Sequence, residues 1–310
     1  MKILITGGAG YIGSLLTKKL LDTGHEVTVL DNFMYKQASL LDCCAYENFS
    51  VINGDARDSE VLKKAVFEKD FVFPLAAIVG FPACKRDQTA AESTNFGAIK
   101  ELLALRDPET KIVFPCTNSG YGIGLKGVEC TEESPIRPIS LYGQTKVRAE
   151  QLVLAAGNAC AFRFATLFGV SPRMRLDLLV NDFVYRAVND RCLTVFEGKS
   201  VRNYLHVQDA CKAFLFAAEH FDAMNGQTFN CGLSNANLNK LQLCEKIKEH
   251  LPFFSYSEAR IGEDPDKRDY IVSNAKIEGI GFQTEKTLDD GIEELIKAYS
   301  IIKNQSYGNY

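Results

Sequence analysis

The sequence predicts an α/β fold in which a doubly wound parallel sheet is joined to a smaller C-terminal α/β lobe. Three observations carry that expectation. Short apolar runs alternate with stretches long enough for a helix through the first half of the chain. The first of these runs ends in a glycine-rich turn that opens an amphipathic segment. From about Ser171 onward the alternation becomes irregular and arginines crowd in at Arg173, Arg175, Arg186, Arg191 and Arg202.

Taken in order, the apolar runs read as strands at residues 2–6, 26–30, 49–53, 71–76, 111–116 and 160–164. Apolar residues at helical spacing predict crossovers over residues 11–23, 60–68, 94–106 and 140–156. Strand, helix and strand spaced in this way make parallel pairs covered on both faces. At 310 residues the chain is too long for one minimal domain. The sheet domain is expected to take residues 1–167 with about 203–228, and the second lobe 168–202 with 229–310. The polar tail after about Lys303 is expected to fray.

Composition excludes several classes. With 46% hydrophobic and 24% charged residues, this is an ordinary globular composition rather than a disordered or fibrous one. The longest apolar stretches, residues 71–80 and 159–169, fall short of the roughly 18–20 residues a bilayer span needs. Met1 leads straight into the first strand, which leaves no room for an export signal, so a cytoplasmic protein with no membrane partner is expected. The ten cysteines sit mostly in apolar runs, as Cys116, Cys160, Cys211 and Cys231 do, and read as reduced core thiols. The four histidines are scattered and no Cys-x-x-Cys occurs, so no metal is expected. A net charge of −4 argues against a nucleic-acid partner, which would need a basic face.

The glycine turn carries the first functional signal. Gly7, Gly10 and Gly13 permit a tight turn, close backbone approach to a pyrophosphate and close helix packing, with a helix N-terminus facing the anion. Its context of strand, turn, helix and second strand is that of a Rossmann-type dinucleotide site; an empty glycine turn is the alternative. Asp31, closing the second strand, can accept both ribose hydroxyls while repelling a 2′-phosphate, which favours NAD over NADP. Tyr11 and Ile12 in the turn, Asn32 beside Asp31, Ala56 beside Asp55, and Leu75, Ala76 and Ala77 past the fourth strand complete the expected cofactor contacts. Asp55 either reaches the adenine amino group or caps the next helix.

The catalytic signal is Tyr142-x-x-x-Lys146, which places a phenol and an ammonium on one helical face. For a tyrosine to act as a base near neutrality its pKa must fall by about 3 units, or about 4 kcal/mol. A cation about 4–5 Å away at an effective dielectric near 20 supplies an interaction of that size, so one lysine is expected to hold the phenol partly ionised. The segment Pro115-Cys116-Thr117-Asn118-Ser119-Gly120-Tyr121-Gly122 leaves a strand at the carboxyl edge of the sheet, where α/β proteins place ligands. Its Thr117 can hold the oxygen being oxidised; simple turn capping is the alternative for Thr117 and Ser119.

Together these residues resemble the extended short-chain dehydrogenase/reductase family, in its nucleotide-sugar branch, over nearly the whole chain. The likeness rests on the glycine triplet, Asp31, the loop from Thr117 to Gly122, Thr131-Glu132-Glu133-Ser134-Pro135 ahead of Tyr142 and Lys146, and Arg202-Asn203-Tyr204-Leu205-His206-Val207-Gln208-Asp209. The runs 118–124, 171–183 and 262–270 are most similar to those of enzymes that oxidise GDP-D-glycero-α-D-manno-heptose at C4 for bacterial capsules. The resemblance implies that, with NAD as cofactor, Tyr142 takes the proton of the sugar 4-hydroxyl, Lys146 holds the nicotinamide ribose and Thr117 bonds the 4-oxygen. It also implies that Asn181 contacts the substrate diphosphate, that Arg202 clamps it, and that Arg268 reaches its ribose or phosphate. Val79, Asn118, Ser119 and Arg173 are expected to border the GDP-heptose as well. The family suggests a homodimer through the helices expected at 94–106 and 140–156.

Two departures from the family pattern narrow the reading. A 4,6-dehydratase carries acidic residues where this chain has Asn118 and Ser119, which disfavours dehydration. The family's Arg-x-x-Asn is here Arg163-Phe164-Ala165-Thr166, which puts an amide contact at Thr166 in doubt. A 4-epimerase uses the same oxidation and stays open as an alternative. A dinucleotide-sensing protein without turnover is disfavoured because the Tyr–Lys pair is kept.

Overall fold

A computed structural model of the chain describes residues 1–125, 127–259, 268–302 and 308. The part of the 262–270 run before Arg268, and the tail from 303 except Gly308, lie outside the described residues.

The first half alternates as its apolar runs require: β1 Lys2–Thr6, α1 Tyr11–Asp22, β2 Glu26–Asp31, β3 Phe49–Asn53, α2 Ser59–Val66 and β4 Phe71–Pro74. There follow α3 Phe81–Arg86, α4 Gln88–Glu92, a π-helical turn Ser93–Gly97, α5 Ala98–Leu105, β5 Lys111–Thr117, a 3-10 turn Asn118–Tyr121, β6 Glu129–Cys130 and α6 Leu141–Ala155. The remainder comprises β7 Ala159–Phe164, β8 Thr166–Phe168, α7 Leu179–Asn189, β9 Cys192–Val195, β10 Val201–His206, α8 Val207–Glu219, α9 Phe221–Met224 and β11 Thr228–Cys231. It closes with β12 Asn237–Asn239, α10 Lys240–His250, β13 Ser255–Glu258, β14 Ile271–Val272, α11 Ala275–Gly279 and α12 Leu288–Ile301.

Seven parallel strands form the main sheet in the order β11-β7-β5-β4-β1-β2-β3. Successive side chains of a strand point to opposite faces, and β1 shows the consequence. Ile3 and Ile5 join Leu16 and Leu20 of α1 and Phe214 of α8 in one core. Leu4 joins Leu62 of α2, Leu102 of α5 and Val153 of α6 in the other. Burying each such side chain contributes about 1.5–3 kcal/mol, so the two-face pattern fixes both the register and the side on which each helix packs.

Downstream, β12-β10-β8 make a small sheet, β13 pairs β9 and β14 pairs β6. With α7, α10 and α12 they enclose a separate core around Phe168, Val184, Tyr204, Leu243, Ile292 and Leu295. The chain divides differently from the expected boundary near 228. Strand β11 runs to Cys231 as an edge of the main sheet, while β10 pairs within the small one.

Three local differences bear on the site. Strand β4 stops at Pro74 rather than at residue 76, so Leu75, Ala76 and Ala77 belong to the loop above the sheet edge. The helix expected over 94–106 is the π-helical turn and α5, preceded by the unanticipated α3 and α4. The π turn contains Asn95, whose amide donates to the Ile78 carbonyl at 2.9 Å and accepts from the Ile78 amide at 2.8 Å, binding the loop after β4. No helix of the described residues is long and apolar enough to cross a membrane.

Candidate active site

A cleft runs across the carboxyl ends of the main-sheet strands, between the sheet and the second lobe. At one end is the glycine turn. Gly7 has φ +73°, and a Cβ there would sit 2.6 Å from the Ala76 nitrogen. At Gly13 it would meet the Gly7 carbonyl oxygen at 2.5 Å. Only glycine lets the turn close this tightly and bring its backbone to a ligand. Gly10 caps α1 without any side-chain hydrogen bond, so the first-turn amides of Tyr11 and Ile12 remain directed at the cleft.

Asp31 at the end of β2 accepts from the Ala9 amide at 2.9 Å and the Phe33 amide at 2.8 Å, which ties the glycine turn to the second strand. Burial pushes its carboxyl up, and the two amides and Arg173 pull it down. Each of its oxygens keeps acceptor capacity for a ribose hydroxyl.

Asp55 faces the cleft but is not a helix cap: Asp58 caps α2, accepting from Glu60 and Val61. The Asp55 carboxylate is gripped by the Arg57 side chain at 2.6 and 2.9 Å. That hydrogen bonding is the main reason its carboxyl is pushed down to about 2. Asn32 donates to it at 3.4 Å, and Ala56, Leu75, Ala76 and Ala77 complete this wall.

In mid-cleft, Ser140 caps α6 by accepting from Gly143 at 3.1 Å, which starts the helix so that Tyr142 and Lys146 share the cleft face. Lys146 is buried, its ammonium 4.2 Å from the Phe114 ring centroid. Burial pushes that ammonium down to about 8, against the opposing influence of Cys116 and Glu150. Burial likewise pushes the Tyr142 phenol above its ordinary value, with Cys116 and Cys84 adding to the rise and Arg175 and Arg268 opposing it. The lysine, expected to be nearly sufficient with an oxidised nicotinamide adding to it, does not by itself bring the phenol below its ordinary value. Desolvation is the larger effect, and the cations that offset it at Tyr142 are arginines of other elements.

Thr117 caps the turn that follows β5 and also borders the cleft. Its hydroxyl accepts from the Ser119 amide at 3.1 Å and donates to the Ser119 hydroxyl at 2.9 Å. Ser119 in turn accepts from Arg268, so Thr117, Ser119 and Arg268 form one chain along the wall. Arg202, also lining the cleft, donates to the Val201 carbonyl at 2.9 Å and packs over Tyr270. Val79 borders the same space.

Two expected substrate contacts do not reach it. Asn118 is buried off the cleft lining, with neither amide atom partnered among the described residues. Asn181 is also buried off the lining; it accepts from the Gly169 amide at 3.0 Å and donates to the Arg175 carbonyl at 2.8 Å. Its amide is consumed in holding the loop ahead of α7. Arg173 does line the cleft, but at the Asp31 end, its guanidinium 4.1 Å from the centre of the Tyr35 ring.

Sequence reasoning missed the bidentate Arg175–Asp177 pair as a unit, and Tyr35, Gln37 and Lys240 in the lining. The crowding of arginines after residue 171 was the available signal for the first. Nothing local marked the others. Behind the cleft, Arg163 donates to Glu150 at 2.6 Å and to the Tyr121 hydroxyl at 3.1 Å, and Tyr121 donates to Asn230 at 2.6 Å. Thr166 lines the cleft.

The glycine cradle, the uncapped helix and the carboxylate at the end of β2 fit a dinucleotide with free ribose hydroxyls. Comparison with known proteins agrees. Residues 3–232 match the model of the "NAD dependent epimerase/dehydratase family". The chain is 29% identical to the low-salt glycan biosynthesis protein Agl12 of Haloferax volcanii, over 96% of this chain and 98% of that protein. It is 28% identical to UDP-glucose 4-epimerase of Corynebacterium glutamicum, over 81% of each. Among solved structures it is similar to Pal from Bacillus thuringiensis, with TM-score 0.86, 25% identity, and 97% of this chain and 100% of that one covered. The chain belongs to the NAD-dependent epimerase/dehydratase family, and its cofactor is NAD.

Proposed function

We propose that this enzyme oxidises the C4 hydroxyl of a nucleotide-linked sugar to the 4-keto sugar. The observation that carries the reading is the convergence of Tyr142, Lys146 and Thr117 on the cleft that also holds the glycine turn and Asp31. Bound NAD supplies the hydride acceptor. Thr117 holds the 4-oxygen, and Tyr142 removes its proton. Burial favours the protonated phenol, the charges of Arg175 and Arg268 oppose that, and an oxidised nicotinamide would add to their effect. Lys146 holds the nicotinamide ribose. Arg202 and Arg268 grip the diphosphate, for which planar guanidinium groups are well suited.

The substrate we propose is a GDP-linked heptose, on the strength of the sequence runs at 118–124 and 171–183. UDP-glucose, named for one relative, represents the competing class. The second reading is a 4-epimerase that returns the hydride to the opposite face, and the similarity to an epimerase favours it at least as well. With either reading we propose a cytoplasmic homodimer, its interface formed by residues 94–106 and 140–156, as the family resemblance suggests.

Incubation with NAD and each nucleotide sugar, followed by NMR and mass spectrometry, tests the proposal. A 4-keto product with stoichiometric NADH supports the first reading, and a C4-inverted sugar without net NADH supports the second. Tyr142→Phe should keep NAD binding and lower turnover by at least about 100-fold. Unchanged turnover in that variant would remove the proposed base.

A further inference from the structure

We propose that Tyr11, Ser14 and Ser171 are positioning residues that couple the cofactor to the second lobe, so that NAD on the first turn of α1 orders the cleft wall from Arg173 to Asp182. That turn works in two directions at once. The backbone amides of Tyr11 and Ile12 are directed at the cleft. The side chains of Tyr11 and Ser14, both buried, reach instead to a corner of the second lobe more than 150 positions later in the chain. The Tyr11 hydroxyl donates to the Gly169 carbonyl at 2.6 Å, and the Ser171 hydroxyl donates to the Tyr11 carbonyl at 2.7 Å. Ser14 and Ser171 share a hydrogen bond of 3.0 Å, and the Arg173 amide donates to the Ser14 hydroxyl at 3.4 Å.

The corner is in turn tied to every large element of the second lobe that borders the cleft. Gly169 has φ +106°, and a Cβ there would collide with the His206 ring at the end of β10. Asn181 of α7 accepts from the Gly169 amide at 3.0 Å, and Tyr299 of α12 donates to the Asn181 carbonyl at 2.8 Å. The Val170 amide donates to Glu294 of α12 at 3.1 Å, and that carboxylate shares a hydrogen bond of 2.9 Å with His206. Strand β10 also carries Arg202. The segment that leaves the corner supplies Arg173, Arg175, Asp177, Leu178, Leu179 and Asp182 to the cleft lining.

These bonds are buried, so breaking one strands a polar group away from water. A pyrophosphate held by the first-turn amides restrains that turn, and the buried bonds pass the restraint to the corner and to the wall beyond it. A second ligand then meets a wall already ordered, which gives positive coupling without any displacement of the backbone. The coupling is reciprocal, so a ligand on the wall tightens NAD by the same factor. Only the identity of that second ligand rests on the reading of the second lobe as the nucleotide-sugar side.

The experiment is hydrogen exchange read by mass spectrometry on the full chain, free of nucleotide and with NAD saturating for each variant. In the parent, NAD should slow exchange several-fold in peptides covering residues 169–182. In Tyr11→Phe and Ser171→Ala that protection should be mostly lost, while the amides at the start of α1 stay protected. Ser171→Ala removes one small hydroxyl, so it reports even if Tyr11→Phe folds poorly. Calorimetry with UDP and GDP forms the second arm, because neither carries a sugar to touch the nicotinamide. NAD should tighten the better of them by about fivefold or more in the parent and by about twofold or less in the variants. Equal protection of 169–182 in the parent and both variants would overturn the coupling, as would a parent whose 169–182 peptides ignore NAD. Protection lost in the variants while neither UDP nor GDP binds the parent would uphold the coupling and remove the nucleotide-sugar reading instead.

Discussion

Lys146 should destabilise the protein that it serves. Its ammonium is buried against the Phe114 ring and pushed down from 10.5 to about 8. At about 1.4 kcal/mol per unit, keeping it charged in the folded state costs about 3 kcal/mol. Below about pH 8 the lysine is protonated in both states and the full cost applies. Between about 8 and 10.5 the folded state releases its proton while the unfolded chain keeps it, so stability rises with pH. Above 10.5 the amine is neutral in both states and the cost is gone. Lys146→Met keeps an unbranched stem and removes the charge. In urea denaturation without NAD, it should be more stable than the parent by up to about 3 kcal/mol at pH 7, and the gap should close as pH approaches 10. The same variant should bind NAD more weakly, so stability and cofactor affinity move in opposite directions. A gap that stays flat with pH, or a parent that is the more stable at neutrality, would refute the reasoning.

Other outcomes follow from the same geometry. Asp31→Asn should lower NAD affinity about tenfold and shrink the preference over NADP, read by parallel titrations with both dinucleotides. Gly13→Ala places a methyl 2.5 Å from the Gly7 carbonyl oxygen and 2.6 Å from the Gly8 Cα. The turn must then open, and NAD binding should fall by more than about tenfold, with equilibrium dialysis as the check. Glu150→Ala leaves Arg163 buried without its carboxylate and should cost about 3–5 kcal/mol in chemical denaturation. Glu150→Ala combined with Arg163→Met should recover most of that loss, and a single-variant cost under about 1 kcal/mol would show that the pair carries little.

What the sequence made legible was the local part of the architecture. Each main-sheet strand through β7 is an apolar run with turn residues beside it, and the i, i+4 spacing alone puts Tyr142 and Lys146 on one face. Where meaning depended on how a partner's side chain folds, the local reading ran out. Asp55 was read as an adenine contact or a helix cap; the cap is Asp58, and nothing at position 55 says that the guanidinium two residues on will fold back over its carboxylate. Asn181 looked like a ligand contact, but whether an amide on the first turns of α7 faces the cleft or the loop behind it depends on how Gly169 and Arg175 run past it. Tyr142 was misjudged for the same reason. Its surroundings come from Cys84 on α3, Cys116 on β5 and two arginines from later segments, none of them adjacent in sequence. The interrupted helix before α5 escaped because a π turn is set by what Asn95 binds across space, the backbone of Ile78.

The two ionic systems around α6 separate structure from function. Glu150 and Arg163 satisfy each other completely: the guanidinium donates to both carboxylate oxygens at 2.6 to 3.2 Å, and its remaining nitrogen meets Tyr121 and the Glu132 carbonyl. A ligand has nothing to add there, and the network fixes α6 against β7 and, through Tyr121, against the turn that follows Thr117. One helical turn earlier the balance differs. Lys146 meets an aromatic face, and its charge stands desolvated against its environment. Buried charge of that kind persists only where something else compensates it, and in a cleft built around a dinucleotide the compensating groups are the ligand's own phosphates and hydroxyls. The unliganded protein therefore holds its electrostatic deficit where cofactor binding relieves it, so that part of the affinity for NAD is the recovery of stability withheld from the empty fold.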